Sequence, residues 1–237
     1  GMRSKGAPML QPFGENIWLA DGPITDVMGF LYPTRMAVIK LADDTLFVWS
    51  PVALTGPLRS SVDALGRVGF IVAPNALHNL FVQEWRAAYP HAAFYAAPGL
   101  DQRCPHIQGG TVLTDRSPPG WADQIEQVIV GGNAITTEVV FFHRASQTAI
   151  VTDLIQGFQP NWFTGWRAIV AKLDLLTAPE PTVPRKFRAA FFDRALARNA
   201  VRHVLAWPVQ NVVIAHGPTI ASGGSAFLKR AFQWLRP

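Results

Sequence analysis

The chain predicts a layered α/β sandwich in which two β-rich halves, each backed by helices, pack sheet against sheet. Two observations carry this expectation. Short runs rich in β-branched and aromatic residues, broken by Asp-Gly, Tyr-Pro and Asp-Asp turn signals, fill the N-terminal half, and a second set restarts after residue 136. With 237 residues, 49% of them hydrophobic and 16% charged, the chain can bury one large core or a pseudo-symmetric pair of halves.

Taken in order, ENIWLADGP (15–23), FLYPTRMAVIKLADDTLFVWSPVAL (30–54) and VGFIVAP (68–74) read as strands. Asp43-Asp44, between MAVIKL and TLFVWS, marks a hairpin. A helix is expected from Leu77 to Tyr89, stopped by Pro90, and the strand AAFYAAP (92–98) follows. Strand, helix, strand implies a βαβ-like crossover. In the second half, TEVVFFH (137–143) and TAIVTDL (148–154) are joined by only RASQ, which favours an antiparallel pair. Residues 160–206 read as mostly helical, interrupted by the proline-rich APEPTVP (178–184). VVIAHG (212–217) gives a last strand, and SAFLKRAFQWL (225–235) a terminal helix with Phe227, Leu228, Ala231 and Leu235 on one side. Each sheet so assembled needs a cover of helices on its outer face.

Composition removes several function classes. No run approaches the roughly 18 apolar residues of a membrane span, and the N-terminus lacks a signal-peptide core, so a cytoplasmic, bacterial-type protein without membrane attachment is expected. Gly1 before Met2 reads as an expression scar, residues 1–13 as scar and leader, and 14–237 as a single domain. Cys104 is the only cysteine, which excludes an intrachain disulfide and a cysteine zinc cluster.

The net charge of +5 is concentrated in residues 185–205 and in the tail, where Lys229, Arg230 and Arg236 stand unopposed. Arg194, Arg198 and Arg202 form one stripe of a helix whose other face carries Phe191, Ala195, Val201 and Leu205. Without interleaved aromatics this is a solvated face rather than a nucleic-acid footprint, which leaves a small-molecule substrate or anion as the expected partner. Gly223-Gly224 before the final helix reads as a connector, with an anion-binding helix start as the alternative. The patch NWFTGW (161–166) is left between core and cover for a site or partner.

The chemistry-bearing residues are His78, Asp153 and His216. Their segments, FIVAPNALHNLF (70–81), TAIVTDLI (148–155) and NVVIAHGP (211–218), are each apolar β-type runs ending on a residue able to ligate a metal. Rival signatures are missing: there is no G-x-S-x-G elbow, no G-x-G-x-x-G, no Walker loop and no H-E-x-x-H. His143 reads as a hairpin-end residue, His91 and His203 as surface residues, and Cys104 with His106 as loop residues.

The order of elements and these three segments resemble the metallo-β-lactamase-fold superfamily, in an uncharacterised branch with a depleted metal site. The resemblance covers about residues 14–236 and implies a four-layer αββα sandwich of two mixed β-sheets flanked by helices, with metals held at one edge. Aligning the last histidine of the family's His-x-His-x-Asp-His run with His78 puts Ala73, Asn75 and Leu77 at the other three ligand positions. A register shifted by one leaves fewer matching ligands. The later family histidine has no counterpart near Val130-Gly131-Gly132-Asn133, where Asn133 is the nearest polar residue. Asp153 and His216 stand in the family's bridging-aspartate and final-histidine contexts.

The resemblance therefore implies that one metal position has lost its ligands (Ala73, Asn75, Asn133) while the other keeps His78, Asp153 and His216. Two imidazoles and a carboxylate with open positions suit one zinc or iron ion. Two functional readings stand: a mononuclear metal-dependent hydrolase of an ester, thioester, amide or phosphodiester, or a catalytically silent scaffold binding a small anion or a protein partner.

Overall fold

Two mixed sheets share one buried interface, and a separate two-stranded hairpin stands beside them. The computed structural model describes residues 9–237, so Gly1 and most of the expected leader lie outside the described residues. In chain order the first half contains β1 (Gln11–Gly14), β2 (Ile17–Asp21), β3 (Thr25–Val27), β4 (Phe30–Tyr32), β5 (Arg35–Lys40), β6 (Thr45–Trp49) and α1 (Gly56–Leu65). It continues with β7 (Arg67–Ala73), α2 (Val82–Ala88), β8 (Ala93–Ala96), α3 (Leu100–Arg103) and β9 (Thr111–Val112). The second half supplies β10 (Ile125–Val130), β11 (Glu138–His143), β12 (Thr148–Val151), α4 (Trp166–Leu173), α5 (Arg185–Ala190), α6 (Arg194–Ala206), β13 (Asn211–Ile214) and α7 (Gly224–Phe232).

The larger sheet runs β1-β2-β5-β6-β7-β8-β9 and the smaller β10-β11-β12-β13; β3 pairs only with β4. Pairing is antiparallel from β1 to β6 and parallel from β6 to β9, and in the smaller sheet only β12 and β13 run parallel. Alternation places Ile17, Ala37, Ile39, Phe47 and Val72 of one sheet against Val139, Phe141, Ile150 and Val213 of the other. Phe47 meets Trp121 and Phe141 edge-on there, at 4.9 and 5.4 Å between centroids. The opposite face of the larger sheet (Met36, Val38, Val48, Ile71) is covered by Leu58 and Val62 of α1 and Val82 and Trp85 of α2. On the smaller sheet, Val140, Phe142, Val212 and Ile214 lie under Phe187, Val201, Phe227 and Leu228 of α5, α6 and α7. The order of layers is helix, sheet, sheet, helix, as expected.

Local chemistry explains most boundaries. Asp44 takes φ 66° in the β5–β6 turn, a left-handed position that Asp tolerates. Thr55 caps α1 by accepting from Leu58 N, and Asp193 caps α6 through Leu196 N. The βαβ unit is present as β7-α2-β8, but the helix begins at Val82 and not at Leu77. Asn75 is the reason: its Oδ1 accepts the backbone N–H groups of Leu77 and His78 at 3.0 and 2.9 Å, while Asn79 Nδ2 donates to the Ala76 carbonyl. The asparagines tie residues 75–79 into a side-chain-bonded loop that competes with helix.

Residues 160–206 are mostly helical, as expected, in the three helices α4, α5 and α6, and the prolines at 179, 181 and 184 exclude helical pairing between α4 and α5. Other expectations need correction. Ala195 is exposed, and the buried face of α6 is Ala197, Ala200, Val201 and Val204. The N–H groups of Gly224 and Ser225 donate to the carbonyls of Gln210 and Val209, so the start of α7 is tied to the preceding loop instead of an anion. Among the described residues no helix is long and apolar enough to cross a membrane.

Candidate metal centre

Strand ends bring the three expected residues together. Asp153 follows β12, His216 follows its parallel neighbour β13, and His78 stands on the asparagine-tied loop after β7. His78 Nε2 lies 3.1 Å from Asp153 Oδ2, and His216 Nε2 lies 3.1 Å from Asp153 Oδ1. One ligating atom from each residue falls within 4.8 Å of the others, and the imidazole rings are 5.0 Å apart. The side chains of His78, Asp153 and His216 are 8%, 7% and 9% exposed, so the carboxylate sits in a nearly dry setting.

Each imidazole is oriented by its other nitrogen. His216 Nδ1 lies 2.7 Å from the Pro33 carbonyl oxygen, which can only accept, so Nδ1 carries the proton. In the neutral ring Nε2 then presents its lone pair to Asp153 Oδ1, and two acceptors face one another. A proton or a cation must lie between them. His78 Nδ1 lies 3.0 Å from Ser50 Oγ, and Ser50 holds φ 52° at the end of β6. Imidazoles braced by a carbonyl or hydroxyl on the far nitrogen are the usual outer support of metal-ligating histidines.

The carboxylate is braced as well. Asn75 Nδ2 donates to Asp153 Oδ2 at 2.5 Å and to Thr152 Oγ1 at 3.0 Å. Beneath it, fully buried Glu138 accepts from Thr152 N at 3.1 Å, Asp153 N at 2.8 Å, Leu154 N at 3.2 Å and the Thr152 hydroxyl. Arg35 Nη1 donates to the carbonyls of Ile214 and Gly217 at 2.7 Å each, fixing the chain on both sides of His216. Gly157 N donates to the His216 carbonyl at 2.9 Å.

Electrostatics follow from this packing. Burial acts to raise the Asp153 carboxyl, but the two histidines override it and hold the group well below the usual carboxylate range. Burial acts to lower His78, yet Asp153 and then Glu138 lift it above the ordinary imidazole value. Glu138 is pushed up to about 7, first by burial and then by the Asp153 charge. Tyr32, whose ring meets His216 edge-on at 5.4 Å, is pushed up to about 12 by burial and by Asp174 and Asp153, so its phenol keeps its proton. Two imidazole nitrogens facing a shared, anionic carboxylate suit a borderline cation such as zinc or ferrous iron.

The centre opens into a cleft of about 490 Å³ lined by Tyr32, Ser50, Leu77, Leu80, Phe81, Ile135, Gln156, Lys186 and Phe187. Gln156 is buried; its Nε2 donates to the Asp153 carbonyl at 2.9 Å, while its Oε1 has no hydrogen-bond partner among the described residues.

The positions implied to have lost ligands are placed differently from one another. Ala73 packs in the outer layer of the larger sheet, away from the cleft. Asn75 bonds the Asp153 carboxylate, and Leu77 lines the cleft. Asn133 turns away: its Nδ2 donates to the Phe187 carbonyl and its Oδ1 accepts from Ile135 N. His143 is buried at the hairpin end against Ser146, and His91 and His203 are exposed. Of the aromatic patch, Phe163 is buried while Trp162 and Trp166 remain exposed.

Sequence reasoning passed over Glu138, Ser50, Arg35, Tyr32 and Gln156. A signal existed for the first, since Glu138 is the lone acid in the apolar strand TEVVFFH and a buried charge needs donors. Ser50 ends the apolar run TLFVW and so occupies a strand exit like the three ligating residues. Tyr32-Pro33 was legible only as a turn, because its contact with His216 spans most of the chain.

Solved structures share this architecture. The chain matches the DIM-1 metallo-β-lactamase exposed to ceftazidime over 99% of both chains, with 16% identity and a TM-score of 0.67. It matches the mono-zinc form of the metallo-β-lactamase FIM-1 from Pseudomonas aeruginosa over 97% of this chain and 95% of that one, at 12% identity and a TM-score of 0.64. A metal-soaked Flv1 flavodiiron core from Synechocystis matches over 98% of this chain and 62% of its own, at 14% identity and a TM-score of 0.62. No curated protein sequence matches. A family model described as a domain of unknown function (DUF4336) matches residues 14–162. The chain thus belongs to the DUF4336 family, and its fold is that of the metallo-β-lactamases.

Proposed function

We propose that His78, Asp153 and His216 hold a single zinc or iron ion and that the protein is a mononuclear metal-dependent hydrolase of an ester, thioester or phosphodiester. The observation that carries this reading is the pair of Nε2 atoms, each 3.1 Å from a different oxygen of one buried carboxylate. With the His216 Nδ1 proton committed to Pro33, Nε2 is the nitrogen that faces Asp153 and would hold the ion. A bound ion of this kind supplies Lewis-acid polarisation of a carbonyl or phosphoryl oxygen and makes water acidic near neutrality.

The remaining steps belong to the chain. Tyr32, protonated throughout the working range, donates from the cleft wall beside His216 and orients an oxygen of the substrate. Gln156 Oε1 accepts from an N–H or O–H of the substrate, satisfying a buried acceptor that otherwise lacks a partner. Leu77, Leu80, Phe81 and Ile135 give the cleft an apolar lining. Hydrolysis breaks the bond from the acyl carbon or phosphorus to the leaving oxygen or sulfur and joins the oxygen of water in its place. One proton of that water leaves with the alcohol or thiol, and the other passes to solvent as the acid product ionises.

Elemental analysis of protein purified without chelator tests the reading. About one zinc or iron per chain is expected, lost in His78→Ala and His216→Ala together with a fall in melting temperature. Metal-free protein at every pH above about 7 would sink it and leave the silent scaffold.

A further inference from the structure

A second groove, of about 600 Å³, continues from the cleft and shares Val27, Tyr32 and Lys186 with it. Beyond this junction its walls are Met28 and Phe30 of the β3–β4 hairpin and Trp166, Val170, Leu173 and Leu176 from α4 and the loop after it. The charged residues lining it are Asp174 and Lys186, which stand 3.7 Å apart and neutralise each other. Both volumes lie in the range of about 300–1,000 Å³ found for small-molecule sites.

The exposed side chains here run against ordinary helix packing. A surface helix turns its apolar stripe to the core. Instead α4 buries Ala171 and leaves Trp166, Val170 and Leu173, spaced i, i+4 and i+7, exposed along the groove. Met28 at the hairpin tip is 87% exposed. Apolar side chains gathered on one channel that ends at a polar centre match a ligand that is apolar at one end and reactive at the other.

We infer that this groove holds the alkyl chain of an acyl ester or thioester whose carbonyl group reaches His78, Asp153 and His216. The assignment rests on the hydrolase reading above for the reactive end only. Ile169 is the control position by which this occupant is told from a bilayer or a second protein copy. It is 64% exposed on α4, much like Leu173 at 62%, yet it does not line the groove.

The test is calorimetric titration of the full-length protein with straight-chain carboxylates from hexanoate to dodecanoate, which mimic the acyl product. Affinity should rise by about fourfold per added methylene while the chain remains in the groove. Leu173→Glu should flatten that rise and weaken dodecanoate binding by at least about tenfold, whereas Ile169→Glu leaves both unchanged. Both positions are on the surface, so neither variant endangers folding. Affinity independent of chain length overturns the inference. So does equal loss in the two variants, which would mean that the whole face of α4 docks on a membrane or another copy. Metal content of the same samples reads the hydrolase proposal separately: absent metal with intact chain-length dependence rejects that proposal and upholds the groove.

Discussion

His216 donates its Nδ1–H to the carbonyl oxygen of Pro33 at 2.7 Å, and this bond decides which ring nitrogen faces Asp153. The acceptor lies just past β4, so the hairpin that walls the cleft also sets the tautomer of a candidate ligand. Imidazole nitrogen NMR on histidine-labelled protein should show His216 protonated at Nδ1 both before and after zinc addition. Only the Nε2 signal should respond to the metal. A protonated Nε2 and a bare Nδ1 in the zinc-loaded protein would contradict the bracing seen here.

Arg35 separates a structural clamp from a surface ion pair within one side chain. Its Nη1 donates to two carbonyls flanking His216, while its Nε meets Asp21, whose side chain is 71% exposed. Arg35→Met leaves both carbonyls without this donor, and a loss of roughly 2–4 kcal/mol in chemical unfolding is expected. Asp21→Ala should cost less than about 0.5 kcal/mol, as exposed pairs do. Equal effects of the two changes would mean that the clamp does not hold the His216 loop.

Glu138 sets the Asp153 loop from below. Its two oxygens accept three backbone N–H groups and one hydroxyl, an arrangement that an amide cannot satisfy because one oxygen becomes a donor. Removing the charge also relieves its repulsion with Asp153, which works in the opposite direction. The hydrogen-bond loss should dominate, since Glu138→Gln sets an amide N–H against the Thr152 N–H in a buried site. Destabilisation of roughly 1–3 kcal/mol is expected from unfolding curves. Metal affinity should fall by about tenfold to a hundredfold in competition with a chromogenic chelator. An unchanged affinity would assign Glu138 to folding alone.

How far the sequence reaches is seen in these same residues. Periodicity and turn chemistry are local, so the β5–β6 hairpin at Asp43-Asp44, the β11–β12 pair and the β7-α2-β8 crossover could all be read directly. The strand-exit settings of His78, Asp153 and His216 were legible for the same reason, and the fold then brought them to one edge. The start of α2 was not, because the Asn75 side chain takes the N–H groups of Leu77 and His78, and apolar spacing does not report such capture. Ala73 and Asn133 showed the other limit. A position matched to a ligand in linear order can turn into the core, as Ala73 does, or bond across to Phe187, as Asn133 does. Contacts spanning nearly the whole chain, such as Pro33 with His216 or Arg35 with Ile214, have no local signature.

His143 offers a pH test away from the candidate centre. It is buried at the end of β11 with Nδ1 2.7 Å from Ser146 Oγ, and burial lowers its pKa from 6.5 to about 4. Between these two values the unfolded chain binds the proton more readily than the folded one. The neutral ring's contribution is therefore complete above the unfolded value and is lost as pH falls towards the folded value. The downward shift corresponds to a loss of up to roughly 3 kcal/mol for wild type across that window. His143→Asn keeps a polar partner for Ser146 but cannot titrate. Urea unfolding of both proteins from pH of about 7 down to about 4 should therefore show wild type losing stability relative to the variant, most steeply below pH of about 6.5 and levelling near 4. Taking the difference between the two proteins cancels other titrating groups, Glu138 included, because they are common to both. Parallel stability curves for the two would mean that water reaches the imidazole and that its burial does not set its protonation.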